Sequence, residues 1–262
     1  MRRLTIALVL LSLPLAVTAC GGSSKPKAPS ASSGAAAIDV VKGAAQKTDL
    51  AGSEHLVLNV GGSASGQRLA VTGTGDFDNK AHIGSLHLNV SAAGVATSID
   101  AVLDKTDMYL KSPLFAALLP AGKTWMKLDL QQAGAAKGLN LNAILSQDPT
   151  QSLAALQSLE GATQVGTATI DGVSTTHYRA RIDLSKLSAA AKAAAPSTYD
   201  AWIGGDGYVH RVRSHIVTGS GTTKTAVTLT VDLSGFGKAV AIAVPPAAQT
   251  AVSKSGLPGL GG

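Results

Sequence analysis

The sequence predicts an α+β fold: a strongly curved antiparallel sheet of about eleven strands, with helices over its concave face. Three observations predict the sheet. Between Glu54 and Lys111 apolar residues recur at every second position, in Leu56-Leu58-Val60, Leu69-Val71, Leu86-Leu88-Val90 and Ile99-Ala101-Leu103. Asn59, Thr72, His87, Asn89, Ser91 and Asp100 fall between or opposite them, which is the pattern of half-buried antiparallel strands. Asp171-Gly172 separates two further strand-like runs, and it is the dipeptide that a two-residue type I′ hairpin requires. Helical patterns come in groups instead of alternating with strands, which argues against βαβ units. An open twisted sheet of this width is expected to curl.

In chain order, Met1-Arg2-Arg3, the apolar run Leu4 to Val17 and Thr18-Ala19-Cys20 have the three parts of an export signal. The apolar run contains Pro14 and falls short of the roughly 20 residues a spanning helix needs. Val17-Thr18-Ala19-Cys20 resembles a bacterial lipobox, so residues 1–19 are expected to be removed and Cys20 to become the acylated N-terminus. Two or more acyl chains give stable anchoring. Gly21 to Gly34 is rich in Gly, Ser, Ala and Pro, and residues 20–35 read as a flexible tether holding the domain about 20 Å from the lipid. The folded domain is expected over residues 36–252 and a disordered tail over 253–262.

Ala35 to Thr48 reads as a helix with Ile38, Val41 and Ala45 on one stripe. The strands from Glu54 onward are expected to turn at Gly61-Gly62, Asp78-Asn79 and Gly94, forming a meander. Ser112-Pro113-Leu114-Phe115 opens a short helix that ends near Leu119-Pro120, and Thr124 to Leu128 returns as a strand. Gln131 to Leu145 is rich in Ala and Leu, and Asp148-Pro149-Thr150-Gln151 is a helix start with an aspartate cap, followed by the stripe Leu153, Leu156, Leu159. Val165 to Ile170 and Val173 to Leu184 are the arms of the Asp171-Gly172 hairpin. Ser185 to Ala195 reads as a helix stopped by Pro196. Thr198 to Ile203 and Tyr208 to Thr218 flank Gly204-Gly205-Asp206-Gly207 as a second hairpin, and Thr222 to Leu233 and Val240 to Val244 add two strands before Pro245-Pro246 ends the sheet.

Composition narrows the function. Hydrophobic residues make up 45% and charged residues 15%, enough apolar content to bury a sizeable core, while aromatics are only 3%. A core built from Ala, Val and Leu fills large spaces poorly. The formal charge of +6 falls to +4 without Arg2 and Arg3, and no basic cluster with interleaved aromatics suggests a nucleic-acid groove. Cys20 is the only cysteine, so the mature body has neither a disulfide nor a thiolate metal site.

The motifs that carry chemistry are weak. Ala117 to Thr124 fits a loose phosphate-loop spelling, but a helix precedes it and a strand follows, the inverse of the arrangement that points amides at a phosphate. The histidines His55, His82, His87, His177, His210 and His215 form no His-Glu-x-x-His pair. His82/His87 and His210/His215 are five apart, on opposite faces of a strand, and a zinc site drawn from separate strands stays open. Gly62 to Gly66 has alanine where a nucleophile elbow has serine, and no spacing singles out Asp104, Asp107 or Asp129 as a carboxylate pair. No catalytic residue, metal ligand or cofactor is assigned. Arg179 with Arg181 and Arg211 with Arg213 share strand faces, and neighbouring strands would join them in a basic patch for lipid phosphates or an acidic partner.

Taken together, the Cys20 lipobox, Leu110-Lys111-Ser112-Pro113-Leu114 to Gly122-Lys123-Thr124-Trp125, Val165-Gly166-Thr167 to His177-Tyr178, and Trp202-Ile203 to Asp206-Gly207-Tyr208-Val209 resemble the actinobacterial lipoproteins of the LppX/LprG type. These are relatives in fold of the LolA-like carriers. The resemblance implies a curved half-barrel whose helices and concave face enclose an apolar cavity for lipid acyl chains, in a protein that carries lipid or lipoglycan toward the outer envelope. The expected location is the outer face of the cell membrane, with an envelope transport protein as a further partner. Candidate wall residues are Leu86, Leu88, Val90, Ile99 and Leu103, with Leu114, Phe115 and Leu118 as a lid. The competing expectation is a non-catalytic envelope interaction lipoprotein with a filled core, and the arginine faces are its best support.

Overall fold

Helix α1 spans Gly34–Asp49 and buries Ala37, Val41, Ala44, Ala45 and Thr48, which recur at helical spacing along one side. Small side chains let it lie close to the sheet, where it contacts β7 and, less extensively, β8 to β10 as defined below. This is a computed structural model, and it describes residues 34–64, 66–92, 94–129, 159–182, 198–218 and 225–253. The leader, the lipobox and tether, the helices expected at Gln131 to Leu145, after Asp148 and at Ser185 to Ala195, and the tail beyond Ser253 lie outside the described residues. Residues 31–262 form one compact unit.

Two antiparallel meanders make the sheet. The first is β1 (Ser53–Ala64), β2 (Gln67–Asp78), β3 (Ile83–Ala92), β4 (Val95–Asp104), β5 (Asp107–Lys111) and β6 (Trp125–Asp129). The second is β7 (Leu159–Ile170), β8 (Val173–Ile182), β9 (Thr198–Gly204), β10 (Val209–Thr218) and β11 (Thr225–Ser234). Because β11 pairs with β1, from His55↔Ser234 to Ala64↔Thr225, the two meanders fuse into one open, curved sheet. Its order is β12-β6-β5-β4-β3-β2-β1-β11-β10-β9-β8-β7, twelve strands where about eleven were expected. The Asp171-Gly172 turn has φ of 47° and 82°, the type I′ geometry that its sequence demands.

Five expectations are corrected. Gly61-Gly62 lies inside β1, not at a turn. The chain comes so close there that a Cβ on Gly62 would sit 2.1 Å from the Ala226 carbonyl oxygen, so glycine serves close strand approach. Leu159 opens β7 instead of closing a helical stripe. Val240 to Val244 is not a strand, because β11 already has a neighbour on each side and the departing chain finds no free edge next to it. Pro245-Pro246 does not end the sheet: β12 (Thr250–Val252) follows and pairs in parallel with β6. Last, His82 sits in the β2–β3 turn with φ 54°, so it shares no strand with His87.

Candidate functional site

Register places the period-two apolar residues on one face. The row Ile99, Leu88, Gly73, Leu58, Val231, Val212, Ala201, Tyr178 crosses eight strands from β4 to β8. Its side chains belong to a single core cluster that also takes in α1 and Phe115. Glycines on β2 and β3 allow this face to be dense: a Cβ on Gly73 or Gly75 would meet Leu88 or Leu86 at 2.4 or 2.7 Å, and one on Gly84 would meet the Phe77 ring at 2.2 Å.

Burial is uneven along the strands. One row toward the end where β1 finishes and β2 begins, the face continues as Val90, Val71, Val60 and Leu229, and then as Leu69, Gly62, Val227 and Ile216. Val71 and Val60 are buried, but Val90, Leu229, Leu69, Val227 and Ile216 are only half-buried. Leu86, one row the other way, is half-buried too. The apolar face is therefore closed at its centre and incompletely covered toward one end. At the opposite end lies a cleft of about 230 Å3 lined by Phe77, Ile83, Gly84 and Leu103 together with Asp49, Asp78, Asn79, His82 and Lys105.

These features sit on a chain that matches the LppX_LprAFG lipoprotein family over residues 35–242. The protein belongs to that family. Its fold is similar to that of LprF from Mycobacterium bovis, at 16% identity and a TM-score of 0.50, over 80% of this chain and 97% of that one. It is equally similar to lipoprotein LppX from Mycobacterium tuberculosis, at 15% identity and a TM-score of 0.51, over 80% of this chain and 100% of the other. No curated protein sequence matches the chain significantly.

Of the wall residues read from the sequence of this LppX_LprAFG member, Leu86, Leu88, Val90 and Ile99 come together on the apolar face of β3 and β4. Leu103 is on the same face but lines the cleft at the far end. The three lid residues part company: Phe115 is buried in the core, whereas Leu114 and Leu118 are 54% and 50% exposed. Leu69 was read on the apolar side of its strand but not as a wall residue, and Ile216, Val227 and Leu229 were missed as part of this face. The alternation of Val227 and Leu229 is visible in Thr225 to Ser234, but only the β1–β11 and β10–β11 pairings show that they and Ile216 continue the surface of the first meander.

The other face is polar and largely neutralised. His55 pairs with Asp76 at 2.8 Å, His87 with Asp100 at 2.7 Å and Lys127 with Asp107 at 2.7 Å. The Asp107 hydrogen bond holds the Lys127 ammonium above its usual range. The arginine strands are not neighbours, since β9 runs between β8 and β10. Asp200 on β9 accepts from Arg179 Nε at 2.9 Å and lies 3.0 Å from His177 Nε2, and Asp232 on β11 accepts from both Nε and Nη2 of Arg211. Trp202 stacks on His177 with ring centroids 4.1 Å apart, under Arg213 at 5.1 Å. The expected arginine patch is thus interleaved with carboxylates. Lys123 of the loose phosphate-loop spelling donates to the Ala247 and Ala248 carbonyls at 3.1 and 2.9 Å. Among the described residues no group of three His, Cys, Asp or Glu side chains is placed to hold a metal.

Proposed function

We propose that this LppX_LprAFG lipoprotein is an exported, acyl-anchored carrier whose apolar sheet face takes up the acyl chains of a lipid or lipoglycan and moves it toward the outer envelope. The observation that carries the reading is the run of half-buried aliphatic side chains, Leu69, Val90, Val227 and Leu229, beside a buried core row. Each methylene removed from water contributes about 0.8 kcal/mol, so a tail laid along that run binds without any specific polar contact. Helices over the concave face complete the enclosure. Cys20 carries the anchor, residues 20–35 are the tether, and the domain of residues 36–252 works at the outer face of the membrane without catalysing a reaction. Arg179 and Arg211 are each held by a carboxylate, which weakens the support that the arginine faces give to the alternative of an interaction module with a filled core.

The test is lipid occupancy. Mass spectrometry of the purified domain should find co-purified lipid, and a fluorescent fatty acyl probe should enter it. Val90→Phe, which adds bulk at a half-buried position of the same face, should lower probe uptake while the thermal transition stays sharp. Absence of both co-purified lipid and uptake in the unsubstituted protein sinks the proposal. The anchor is tested separately: Cys20→Ala should abolish labelling by a palmitate analogue and release the protein or leave it uncut.

A further inference from the structure

The two ends of the β2 to β6 half of the sheet differ in charge. Where β2 and β4 begin and β3 and β5 finish, Val95, Leu114 and Leu118 are 58%, 54% and 50% exposed. Arg68, Lys111 and Lys123 lie at this end of that half, where basic residues outnumber the carboxylates described. Asp100, the ladder partner of Lys111 and level with it, lies 2.7 Å from His87 and 4.0 Å from Lys111. At the other end of the same strands Asp78, Asp104, Asp107 and Asp129 stand together with Lys80 and Lys105, so the two ends differ by the carboxylates.

The exposed apolar residues are held in place. Ser112 caps helix α2 (Pro113–Ala116), its hydroxyl accepting from the Leu114 amide at 3.4 Å and lying 3.3 Å from the Thr97 hydroxyl on β4. Phe115 is sunk in the core, and the Leu118 amide donates to the Phe115 carbonyl at 2.9 Å, so Leu114 and Leu118 are turned outward by a fixed loop. Ladder register links the rest: Leu69, next to Arg68, pairs with Ala92, and Ala92 with Val95. Trp125 at the start of β6 is half-buried on the same rim, with the Lys111 ammonium 5.7 Å from its ring.

We infer that this end, where Val95, Leu114 and Leu118 project beside Arg68, Lys111 and Lys123, docks on the surface of an anionic lipid bilayer. Separate aliphatic prongs with basic side chains and a tryptophan at the same end suit the interface between acyl chains and headgroups, where tryptophan rests and long basic side chains reach phosphate. The basic rim complements an anionic leaflet. The half-buried run of the apolar face opens toward this same end, so a docked domain would present it to the membrane. Docking stands on the exposed residues and the charge, and does not require that the face bind acyl chains.

The test is co-sedimentation of residues 31–262, the compact unit that contains the whole described core, with vesicles of phosphatidylcholine alone or mixed with phosphatidylglycerol. Binding to the mixed vesicles is expected, weakening as salt rises. Leu114→Ser with Leu118→Ser should lower it roughly tenfold, Arg68→Glu should lower it several-fold, and Lys80→Glu at the far end should leave it unchanged. Both leucines are exposed, so the thermal transition of the double variant reports that the fold is intact. No binding to the mixed vesicles, or equal binding by the wild type and the double serine variant, overturns the inference. Val90→Phe separates the two proposals: a protein that has lost probe uptake should still sediment with vesicles, and one that keeps uptake without sedimenting fails docking alone.

Discussion

Thr48, on the last turn of α1, donates its hydroxyl to the Ala44 carbonyl at 2.8 Å and accepts the backbone N–H of Val209 at 2.9 Å. Both residues are completely buried. One hydroxyl therefore ties the helix to the first residue of β10, the strand whose pairing with β11 carries the sheet on to β1. Thr48→Val keeps the shape and leaves the Val209 amide buried without an acceptor, which costs about 1–3 kcal/mol. Urea unfolding should show that loss, and Thr48→Ser should recover most of it.

The same junction is sensitive to acid. Burial acts to raise the Asp206 carboxyl, but the Tyr208 amide, His210 and Lys47 outweigh it and hold the group below the usual carboxylate range. Lys47 also donates to the Asp206 carbonyl at 2.5 Å and lies 4.5 Å over the Tyr208 ring. A carboxyl lowered by folding stabilises the protein above its unfolded value of about 3.9 and loses that contribution as the pH falls through its folded value. Asp206→Asn should be less stable than wild type near neutrality by under about 1 kcal/mol, because the group is partly exposed and screened. The gap should close in strong acid. A gap that widens on acidification contradicts the assignment.

Much of the sheet was legible because strand faces obey a period of two and because Asp171-Gly172 can do little but turn. The fusion of the meanders was not. Nothing local in Leu56 to Val60 or Leu229 to Leu233 says that they pair, so the continuity of the apolar face from Leu88 to Val212 was out of reach. Gly61-Gly62 misled for a physical reason: glycine marks close backbone approach as readily as a turn, and only the Ala226 contact tells the two apart. The strand beyond Pro245-Pro246 was missed because three residues are too few to show alternation. The arginine faces were read correctly within each strand, but their significance depended on Asp200 of the intervening β9.

Phe115 and Leu114 are adjacent, and the structure gives them different fates. Phe115→Ala removes a buried ring and should cost about 3–5 kcal/mol. Leu114→Ala changes an exposed side chain and should stay within about 0.5 kcal/mol. Chemical denaturation of the two variants decides it, and equal losses would mean that α2 does not seat the ring in the core.

The glycines of this chain divide into those that space permits to change and those it does not. A Cβ at Gly75 would lie 2.2 Å from the Ser85 carbonyl oxygen, on a strand held at ladder spacing by β1 and β3 on either side of β2, so neither backbone can retreat. At Gly84 the obstacle is the Phe77 ring, itself only 5% exposed and unable to swing into solvent. Gly75→Ala and Gly84→Ala should each cost about 1–3 kcal/mol, the usual penalty of overpacking. Gly43 is exposed in the middle of α1 and has nothing within 4 Å of its missing Cβ. Gly43→Ala should raise stability by about 0.5–1 kcal/mol, since alanine holds helix better and restricts the unfolded chain. Thermal melts of the three variants should therefore move in opposite directions, two down and one up. A destabilised Gly43→Ala protein would mean that another segment packs on that side of the helix.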